Sequence, residues 1–372
     1  MVKIAFVCMI ALQFFILSGC SSFKSDGNVD AALKETNSSF KEGPSGHFFG
    51  GLSIIPIELN GSQFNSIGDW YDNTTILYIT DDSDGSKIYK YHLYTGVAEL
   101  FYETTEQIIT LKASQDRSYF ALQTSVSSNE AKVTIVDQQG KEKMSTTIDS
   151  VEIQYVWNPF KEMEVFITSF QEDWSFQNYV LDVNQNLQQI SEVSQPFVQW
   201  VGPTKIAYLK WENDGNLNAP LLSLDSQDNV EIKILDSVLA YRTYKDLLVT
   251  ISGTETESLY QFFDTEMMQL KGSFKLPMIN TFSDRWWIPN YDYDSETDSF
   301  IYFKPKEENN ELASLQLMKF SLINGEETLV LEDSLDRPLN ISPDGTLCLI
   351  GYQLEEIIDM KKKEISSLIK QM

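Results

Sequence analysis

The sequence predicts an all-β fold in which short sheets of similar size stand side by side and close into a ring. A unit made of a polar turn and a short apolar run recurs seven times, with gaps of 43, 46, 41, 41, 53 and 47 residues between successive runs. Aromatic residues make up 12% of the 372 residues, which favours strands over helices. Repeats of this length are typical of four-stranded propeller blades, so the predicted fold class is a β-propeller.

The repeating unit is clearest near the C-terminus. Pro343 and Asp344 suit the middle of a type I turn, and Gly345 tolerates the positive φ that follows such a turn. An apolar run that predicts a buried strand comes next. The seven runs are Thr75–Ile79, Ser118–Leu122, Glu164–Thr168, Lys205–Leu209, Asp246–Ile251, Ser299–Phe303 and Thr346–Ile350.

Each run is predicted to be the second of four strands in its unit. A short strand precedes it, as in Gln107–Leu111, and a hairpin of two strands follows it, as in Lys132–Ile148. The strand before the hairpin turn often ends in an apolar residue followed by aspartate, such as Asp137. An aspartate there can accept a hydrogen bond from the backbone two residues on and so start the turn. The unit is therefore one small antiparallel sheet.

A single sheet of this kind cannot bury both of its faces, whereas neighbouring sheets packed face to face can. Closing the ring removes exposed end sheets, and neither end of the repeat array has the polar cap that an open array would need. The apolar segment 52–61 precedes the first unit and is expected to pair with the last sheet and lock the ring. Two separate β-sandwiches are the alternative, but the uniform spacing without a linker near the midpoint argues against them.

The N-terminus predicts a lipoprotein signal peptide in residues 1–19. A basic residue precedes an apolar stretch that is too short to span a bilayer, and Leu17–Cys20 has the lipobox pattern of bacterial lipoproteins. In those proteins the cysteine receives a diacylglycerol and the chain is cut before it, so we expect Cys20 to be lipidated. Residues 20–46 are polar and predict a flexible tether, with the propeller in residues 47–372.

Two resemblances accompany this arrangement. The turn at Ser342–Gly345, with a weaker copy at Ser114–Arg117, is similar to the turns in TolB-type propeller blades. The whole chain, with its lipobox, polar tether and acidic aromatic-rich units, resembles the YqgU-like propeller lipoproteins of Gram-positive bacteria. That family is six-bladed, whereas seven units are counted here. In a six-bladed alternative, the charged segment 355–369 is partly helical and does not form a blade. The resemblance implies no established activity.

The net charge of −26 limits the possible partners. Such a surface repels phosphate backbones, so nucleic acid is excluded, and it repels anionic lipid headgroups as well. Membrane attachment is therefore assigned to the acyl chains on Cys20, because two or more chains hold a protein firmly. We expect a monomer on the outer face of a bacterial cell membrane, with an unknown protein or an envelope glycan as its partner.

The chain offers no recognisable catalytic or cofactor site. Its only histidines are His47 and His92, which cannot build a Ser-His-Asp triad or a paired-histidine metal site. After signal cleavage and lipidation, Cys348 has no partner, and it lies in an apolar run as a small buried hydrophobe. We assign no catalytic residues and expect no cofactor.

Two acidic segments are weak candidates for cation binding. The first contains Asp81, Asp82 and Asp84, and the second contains Asp292 and Asp294. The first lacks the pattern of an EF-hand-like loop, because Thr80 and Tyr91 stand where acidic ligands are needed. Solvated loops are the favoured interpretation of both, so no metal site is predicted.

Tryptophans give the most suggestive binding signal. Four lie between the predicted first and second strands of a unit: Trp70, Trp157, Trp200 and Trp287. Packing between blades is the favoured interpretation, and the alternative is an aromatic ring that stacks on a sugar or peptide. Two others lie in predicted loops after a second strand: Trp174 and Trp211. The candidate binding residues are Trp70, Trp174, Trp211, Arg285, Trp286 and Trp287.

These observations predict a lipid-anchored, extracytoplasmic propeller that acts as a non-catalytic binding or scaffold module. One alternative is a glycan-directed hydrolase or lyase that uses acidic residues near the channel. Another is a solute-binding or cation-binding accessory lipoprotein. Carboxylates from two blades that converge at one mouth of the channel, about 5–9 Å apart, would favour the enzyme. An apolar and aromatic mouth would favour the binding module.

Overall fold

A computed structural model describes residues 53–370, apart from residues 60, 186, 191–192, 194, 212–215, 217, 255, 281–285 and 307–313. The predicted signal peptide, Cys20 and the predicted tether lie outside the described residues. Leu52–Met372 forms one compact unit. The described residues contain no helix, and hence none that could cross a membrane.

The first four sheets follow one another along the chain. Blade 1 contains β1 (Gln63–Trp70), β2 (Thr75–Asp82), β3 (Gly85–His92) and β4 (Ala98–Thr104). Blade 2 contains β5 (Gln107–Ala113), β6 (Tyr119–Ser127), β7 (Glu130–Asp137) and β8 (Glu142–Asp149). Blade 3 contains β9 (Glu152–Trp157), β10 (Glu164–Phe170), β11 (Phe176–Asp182) and β12 (Leu187–Ile190). Blade 4 contains β13 (Gln199–Trp200), β14 (Lys205–Leu209), β15 (Ala219–Asp225) and β16 (Val230–Val238).

Three further blades and one small extra sheet complete the described chain. Blade 5 contains β17 (Ala240–Thr243), β18 (Leu247–Gly253), β19 (Glu257–Asp264) and β20 (Leu270–Pro277). A two-stranded sheet, β21 (Ile279–Asn280) and β22 (Trp286–Trp287), comes next. Blade 6 contains β23 (Tyr291–Asp294), β24 (Ser299–Pro305), β25 (Leu315–Ser321) and β26 (Glu327–Ser334). Blade 7 contains β27 (Leu339–Ile341), β28 (Leu347–Ile350), β29 (Glu356–Asp359) and β30 (Glu364–Ser367).

The predicted repeat is confirmed over the described residues. Seven four-stranded sheets are present, each antiparallel and each ordered as its strands follow in the chain. Every predicted apolar run falls on the second strand of its blade, where both faces of the sheet are covered; the first six residues of β2 are all buried. The charged segment 355–369, which the six-bladed alternative predicted to be partly helical, forms strands β29 and β30 instead.

Apolar side chains are buried in the seams between blades. Leu77 and Phe120, on the second strands of blades 1 and 2, belong to one cluster of buried residues. The same pairing recurs at each of the next five seams. Ile76 of blade 1 and Leu349 of blade 7 share the cluster that closes the ring. Each sheet therefore buries its two faces against its two neighbours, which is why one unit could not be stable alone.

The segment before blade 1 seals the last seam, as predicted. Ile57 forms a parallel bridge to Ile369, and its amide donates to the Leu368 carbonyl at 2.7 Å. Two residues earlier, the Ile55 amide donates to the Leu93 carbonyl of blade 1 at 2.8 Å. One short apolar stretch thus ties the two ends of the ring together.

The turn between the first and second strands of blade 7 has the predicted form. The Gly345 amide donates to the Ser342 carbonyl at 2.9 Å, and Gly345 has a φ of 69°. The weaker copy in blade 2 has the same closure, because the Arg117 amide donates to the Ser114 carbonyl at 2.9 Å. Arg117 takes the left-handed position there with a φ of 60°, which is uncommon for a residue other than glycine.

Candidate functional site

First strands contact one another around the ring, as between β1 and β5 or β23 and β27, so they surround the central channel. Because all strands of a blade are antiparallel, its connections leave from two opposite faces. The face with the turns between first and second strands and between third and fourth strands, such as Ser342–Gly345, is called the turn face. The face with the other connections, which include Trp174 and Trp211, is called the loop face.

Three of the four tryptophans predicted between a first and a second strand lie inside the first strands instead, at their ends. We call this strand-end position the wedge position. Trp70 is fully buried, and its indole nitrogen donates to the Asn340 carbonyl of blade 7 at 3.0 Å. The Trp157 indole donates to the Lys112 carbonyl of the preceding blade at 3.2 Å. Trp200 is also buried, but its indole nitrogen has no hydrogen-bond partner among the described residues.

The candidate binding role of Trp70 is therefore wrong. Its ring is enclosed between blades 7 and 1, with 0% of its surface exposed, and cannot stack on a ligand. The packing interpretation holds for Trp70, Trp157 and Trp200. The strand position explains it, since a large ring fills the space that opens between the splayed sheets.

The loop face carries exposed aromatic rings on blades 3 and 4. Trp174, between β10 and β11, is 58% exposed, and Trp211, between β14 and β15, is 42% exposed. Phe197, in the connection from blade 3 to blade 4, is 41% exposed and lies 5.4 Å from the Phe170 ring, centroid to centroid. Trp174 has a φ of 64°, so a tight turn holds a bulky residue outward in the left-handed conformation.

Trp287 departs from its predicted position. It lies in the extra strand β22, before the first strand of blade 6, and is half-buried against the cluster between blades 6 and 7. The backbone of Trp286 pairs with Asn280 in the same small sheet. Arg285 lies outside the described residues. The extra sheet follows the fourth strand of blade 5, which places it on the loop face.

A ring of residues that are polar in every blade except blade 3 surrounds the turn-face end of the channel. Each member comes one residue before the wedge position of its first strand. In blade 1 the wedge residue is Trp70, so the ring member is Asp69. The members, in blade order, are Asp69, Lys112, Val156, Gln199, Arg242, Asp292 and Asn340. We call them the channel ring.

Several channel-ring side chains link their blade to the next. Asp69 accepts a hydrogen bond from the Ala113 amide of blade 2 at 2.9 Å. The side chain of Gln199 accepts from the Thr243 amide of blade 5 at 3.3 Å in the same way. Asp292 of blade 6 makes the same kind of link, because it accepts from a backbone amide of blade 7. Such buried backbone amides need an acceptor, and the carboxylates and the amide of the ring provide it.

The prediction that Asp292 and Asp294 lie in a solvated loop is wrong. Both are buried, at 6% and 1% exposure, in the first strand of blade 6. Asp292 accepts from the Ile341 amide at 2.8 Å and from the Tyr244 hydroxyl at 3.2 Å. Asp294 pairs with Lys319 at 3.0 Å. Their hydrogen-bonding capacity is used within the fold, which accounts for burying two carboxylates.

The first acidic segment forms a hairpin tip, as predicted. Asp82 pairs with Lys87 at 2.8 Å, and this hydrogen bond, with that from the Asp84 amide, holds the pKa of Asp82 below its usual value. Asp81 accepts from Asn65 and Ser86 at 2.8 and 2.6 Å. Among the described residues, no group of three or more histidine, cysteine or acidic side chains is arranged to hold a metal ion.

A cavity of about 220 Å³ opens at the turn-face mouth of the channel. Residues from blades 2, 3 and 5 line it: Gln115, Asp116, Asn158, Pro159, Glu162 and Lys245. Burial opposes ionisation of Asp116, but hydrogen bonds from Ser118 and Ser114, with one to Glu162, hold its pKa below the usual value. Two carboxyl groups from adjacent blades therefore meet at this mouth.

Sequence reasoning did not find the channel ring or this cavity. No local signal marks the ring, because its members are chemically unlike and share only a position in the repeat. That position could have been found by aligning the units on Trp70, Trp157 and Trp200 and taking the preceding residue.

Seven four-stranded sheets around a channel lined by their first strands define the protein as a β-propeller. The chain belongs to the family described as the YqgU-like 6-bladed beta propeller domain, whose sequence model matches residues 92–351. The predicted resemblance is thereby confirmed. The matched range contains blades 2 to 6 complete and parts of blades 1 and 7, whereas the described residues form seven sheets.

A relative supports the same assignment. The chain is 25% identical to the uncharacterized lipoprotein YqgU of Bacillus subtilis (strain 168) over 366 residues, covering 98% of this chain and 97% of the relative. The protein is thus similar along its whole length to a lipoprotein with no described activity.

Solved structures share the fold. A crystal structure of an uncharacterized protein from Listeria monocytogenes EGD-e has a TM-score of 0.79 at 20% identity, covering 86% of this chain and 98% of that one. An oligogalacturonate lyase from Vibrio parahaemolyticus has a TM-score of 0.54 at 11% identity, covering 79% and 89%. At these identities the likeness shows the architecture alone.

Proposed function

We propose that the protein is anchored by lipid on Cys20 to the outer face of the cell membrane, where its propeller acts as a non-catalytic recognition module. The partner is a protein or a component of the cell envelope, and it binds at the loop face of blades 3 and 4. The exposure of Trp174 and Trp211 on that face carries the proposal.

Large aromatic side chains at a surface favour binding because they offer much apolar area at a small cost in conformational entropy. Trp174 lies on a turn, and its backbone is in the left-handed conformation that is uncommon for a residue other than glycine. Channel-ring carboxylates, by contrast, are committed to links between blades, as Asp69 and Asp292 show. Recognition by the loop face therefore fits the described side chains better than catalysis in the channel does.

The lipobox and the likeness to a Bacillus lipoprotein support the anchor. Replacing Cys20 with alanine is expected to release the protein from membranes, because the acyl chains on Cys20 provide the proposed attachment and the described residues contain no helix that could span a bilayer. Sedimentation of the Cys20→Ala protein with the membrane fraction, as for the unchanged protein, would contradict the anchor.

Partner capture tests the recognition surface. The full chain, cross-linked on intact cells and recovered from detergent, is expected to retain a defined partner, identified by mass spectrometry. The double variant Trp174→Ala/Trp211→Ala should lose that partner. The matched control is Met267→Ala/Ile323→Ala, since both residues are 76% exposed but lie in turns of the opposite face. Equal capture by both double variants would overturn the proposal.

We place Arg285, Trp286 and Trp287 at the edge of the same surface, because the extra sheet belongs to the loop face. Replacing Trp286 and Trp287 with alanine is expected to weaken partner capture without unfolding the ring. A large fall in the melting temperature of that variant would instead assign the pair to the core.

A second candidate function rests on Asp116 and Glu162. Carboxyl groups from two blades at one mouth are the arrangement expected of a glycan-directed hydrolase or lyase. The test is release of new reducing ends from purified cell-wall glycan by the full chain. Activity that Asp116→Asn abolishes would support catalysis, and absence of activity in the unchanged protein would contradict it.

A further inference from the structure

The loop face of blades 2 and 3 carries five acidic side chains without a cationic partner. Glu130 begins β7, Asp149 ends β8 and Glu152 begins β9, while Glu172 and Asp173 lie in the turn before β11. We call these five residues the acidic rim. Among the described residues, no lysine or arginine nitrogen lies within 4 Å of a rim carboxylate.

The basic residue nearest to the rim along the described strands is already paired. Lys132, close to the loop-face end of β7, lies 3.2 Å from Glu106. The other described basic residues of blades 2 and 3 lie toward the turn face: Lys112, Arg117, Lys141, Lys143 and Lys161. The charge on this part of the loop face is therefore negative and favours a positive partner.

The acidic rim and the exposed Trp174 ring belong to one surface, because hydrogen bonds join the segments that carry them. The Gln171 side chain donates to the Asp149 carbonyl at 2.8 Å, and the Val151 amide donates to the Phe170 carbonyl at 2.9 Å. The Trp174 amide donates to the Gln171 carbonyl at 2.9 Å. The turn that presents the tryptophan is thus tied to the connection between blades 2 and 3.

Asp173 is fixed in the same turn as Trp174. Its carboxylate accepts a hydrogen bond from the Ser175 amide at 2.9 Å. The Ser175 hydroxyl and amide hold the pKa of Asp173 below its usual value, so the carboxylate stays ionised at neutral pH. An aromatic ring beside a fixed carboxylate suits lysine or arginine, whose charged head pairs with the acid while the rest of the side chain packs on the ring.

We propose that this surface binds a lysine-rich or arginine-rich segment of a partner protein, with one basic side chain packed on Trp174 and others paired with the acidic rim. The inference rests on the recognition surface proposed above and names the chemistry of its partner. Charge complementarity carries it. The rim repels anionic lipid and anionic envelope polymers, and a neutral glycan would leave its carboxylates unpaired.

Binding of a defined peptide tests the surface. The probe is a fluorescein-labelled octapeptide of alternating lysine and alanine, titrated with the full chain in detergent at low ionic strength and followed by fluorescence anisotropy. Saturable binding is expected, with none for the matching octapeptide of glutamate and alanine. Trp174→Ala should weaken the binding about twofold to fivefold, the range for a cation on an exposed ring.

Removing the charge beside the ring should have a larger effect. Glu172→Gln/Asp173→Asn should weaken binding of the lysine peptide about fivefold to tenfold, the range for two exposed ion pairs. Asparagine keeps an oxygen that can accept from the Ser175 amide, so this double variant is expected to fold normally.

Glu266→Gln/Asp228→Asn is the matched control. Both acids are exposed in turns of the opposite face, on blades 5 and 4, and their replacement removes the same charge. It should leave binding nearly unchanged. No saturable binding of the lysine peptide, or an equal loss of affinity in the two double variants, would overturn the proposal.

The partner recovered by cross-linking separates this inference from the recognition surface itself. Loss of a protein partner in both Trp174→Ala/Trp211→Ala and Glu172→Gln/Asp173→Asn supports the inference. If only the tryptophan variant loses the partner, or if the partner is a glycan, the recognition surface stands and the basic segment is wrong. If neither variant loses it, both proposals fail.

Discussion

Tryptophan is buried in the seams between blades but exposed on the loop face of blades 3 and 4. Trp70 is fully buried in the seam between blades 7 and 1, and its indole donates to a backbone carbonyl across that seam. Trp174 is 58% exposed, and only its backbone is fixed, by a tight turn between β10 and β11. The difference teaches that position within the repeat, rather than residue type, separates structure from recognition.

The largest expected effect is in the seam. Trp70→Ala should lower the free energy of unfolding by about 3–5 kcal/mol, because it leaves a large cavity where the ring closes. The Asn340 carbonyl also loses its indole donor. Urea unfolding followed by circular dichroism measures the change. A loss below about 1 kcal/mol would show that this seam does not depend on the ring of Trp70.

A second seam is sensitive to a single methyl group. Gly345 has a φ of 69°, and a Cβ there would lie 2.3 Å from a carboxylate oxygen of the buried Asp294. Gly325 has a similar φ of 73°, but no atom lies within 4 Å of its would-be Cβ. Gly345→Ala should therefore destabilise more than Gly325→Ala by about 1–3 kcal/mol. Equal losses in the two variants would mean that only the backbone conformation matters.

Seam hydrogen bonds can be separated from seam packing. Trp157 and Trp200 are both buried wedge residues, but only the Trp157 indole has a described acceptor, the Lys112 carbonyl at 3.2 Å. Trp157→Phe should therefore cost about 1 kcal/mol more than Trp200→Phe. Thermal unfolding of the two variants side by side provides the measurement, and the reverse order would count against the assigned role of the indole nitrogen.

The smallest effect on stability is expected at the loop face. Trp174→Ala should change the free energy of unfolding by no more than about 0.5 kcal/mol, because an exposed ring buries little surface on folding. Chemical denaturation checks this value in the same buffer as for Trp70→Ala. A loss comparable to that of Trp70→Ala would place Trp174 in the core and remove it from the recognition surface.

Much of the fold could be predicted because it depends on local patterns that repeat. Turn residues such as Gly345 and the apolar runs recur at blade spacing, and burial on both faces of each second strand follows from the runs. The closing role of the segment around Ile57 also follows, since an apolar stretch outside the repeat needs a partner. The number of four-stranded sheets, seven, could be predicted from the spacing of the apolar runs alone.

The site could be predicted only in part. Exposure of Trp174 and Trp211 followed from their place in loops. The burial of Asp292 and Asp294 could not be predicted, because an acidic stretch of sequence indicates a solvated loop. Only the structure shows that a backbone amide of the next blade needs the Asp292 carboxylate as its acceptor. The channel ring was also hidden, since contacts between the first strands bring its members together and no local pattern marks them.

Hydrogen–deuterium exchange of the full chain in detergent tests the closed ring most directly. The Ile57 amide bonds to the Leu368 carbonyl only if the segment before blade 1 lies on the last blade. The account predicts that the peptide 53–59 exchanges nearly as slowly as the central strand β28. Exchange of that peptide at the rate of an unpaired chain, while β28 stays protected, would contradict closure of the ring.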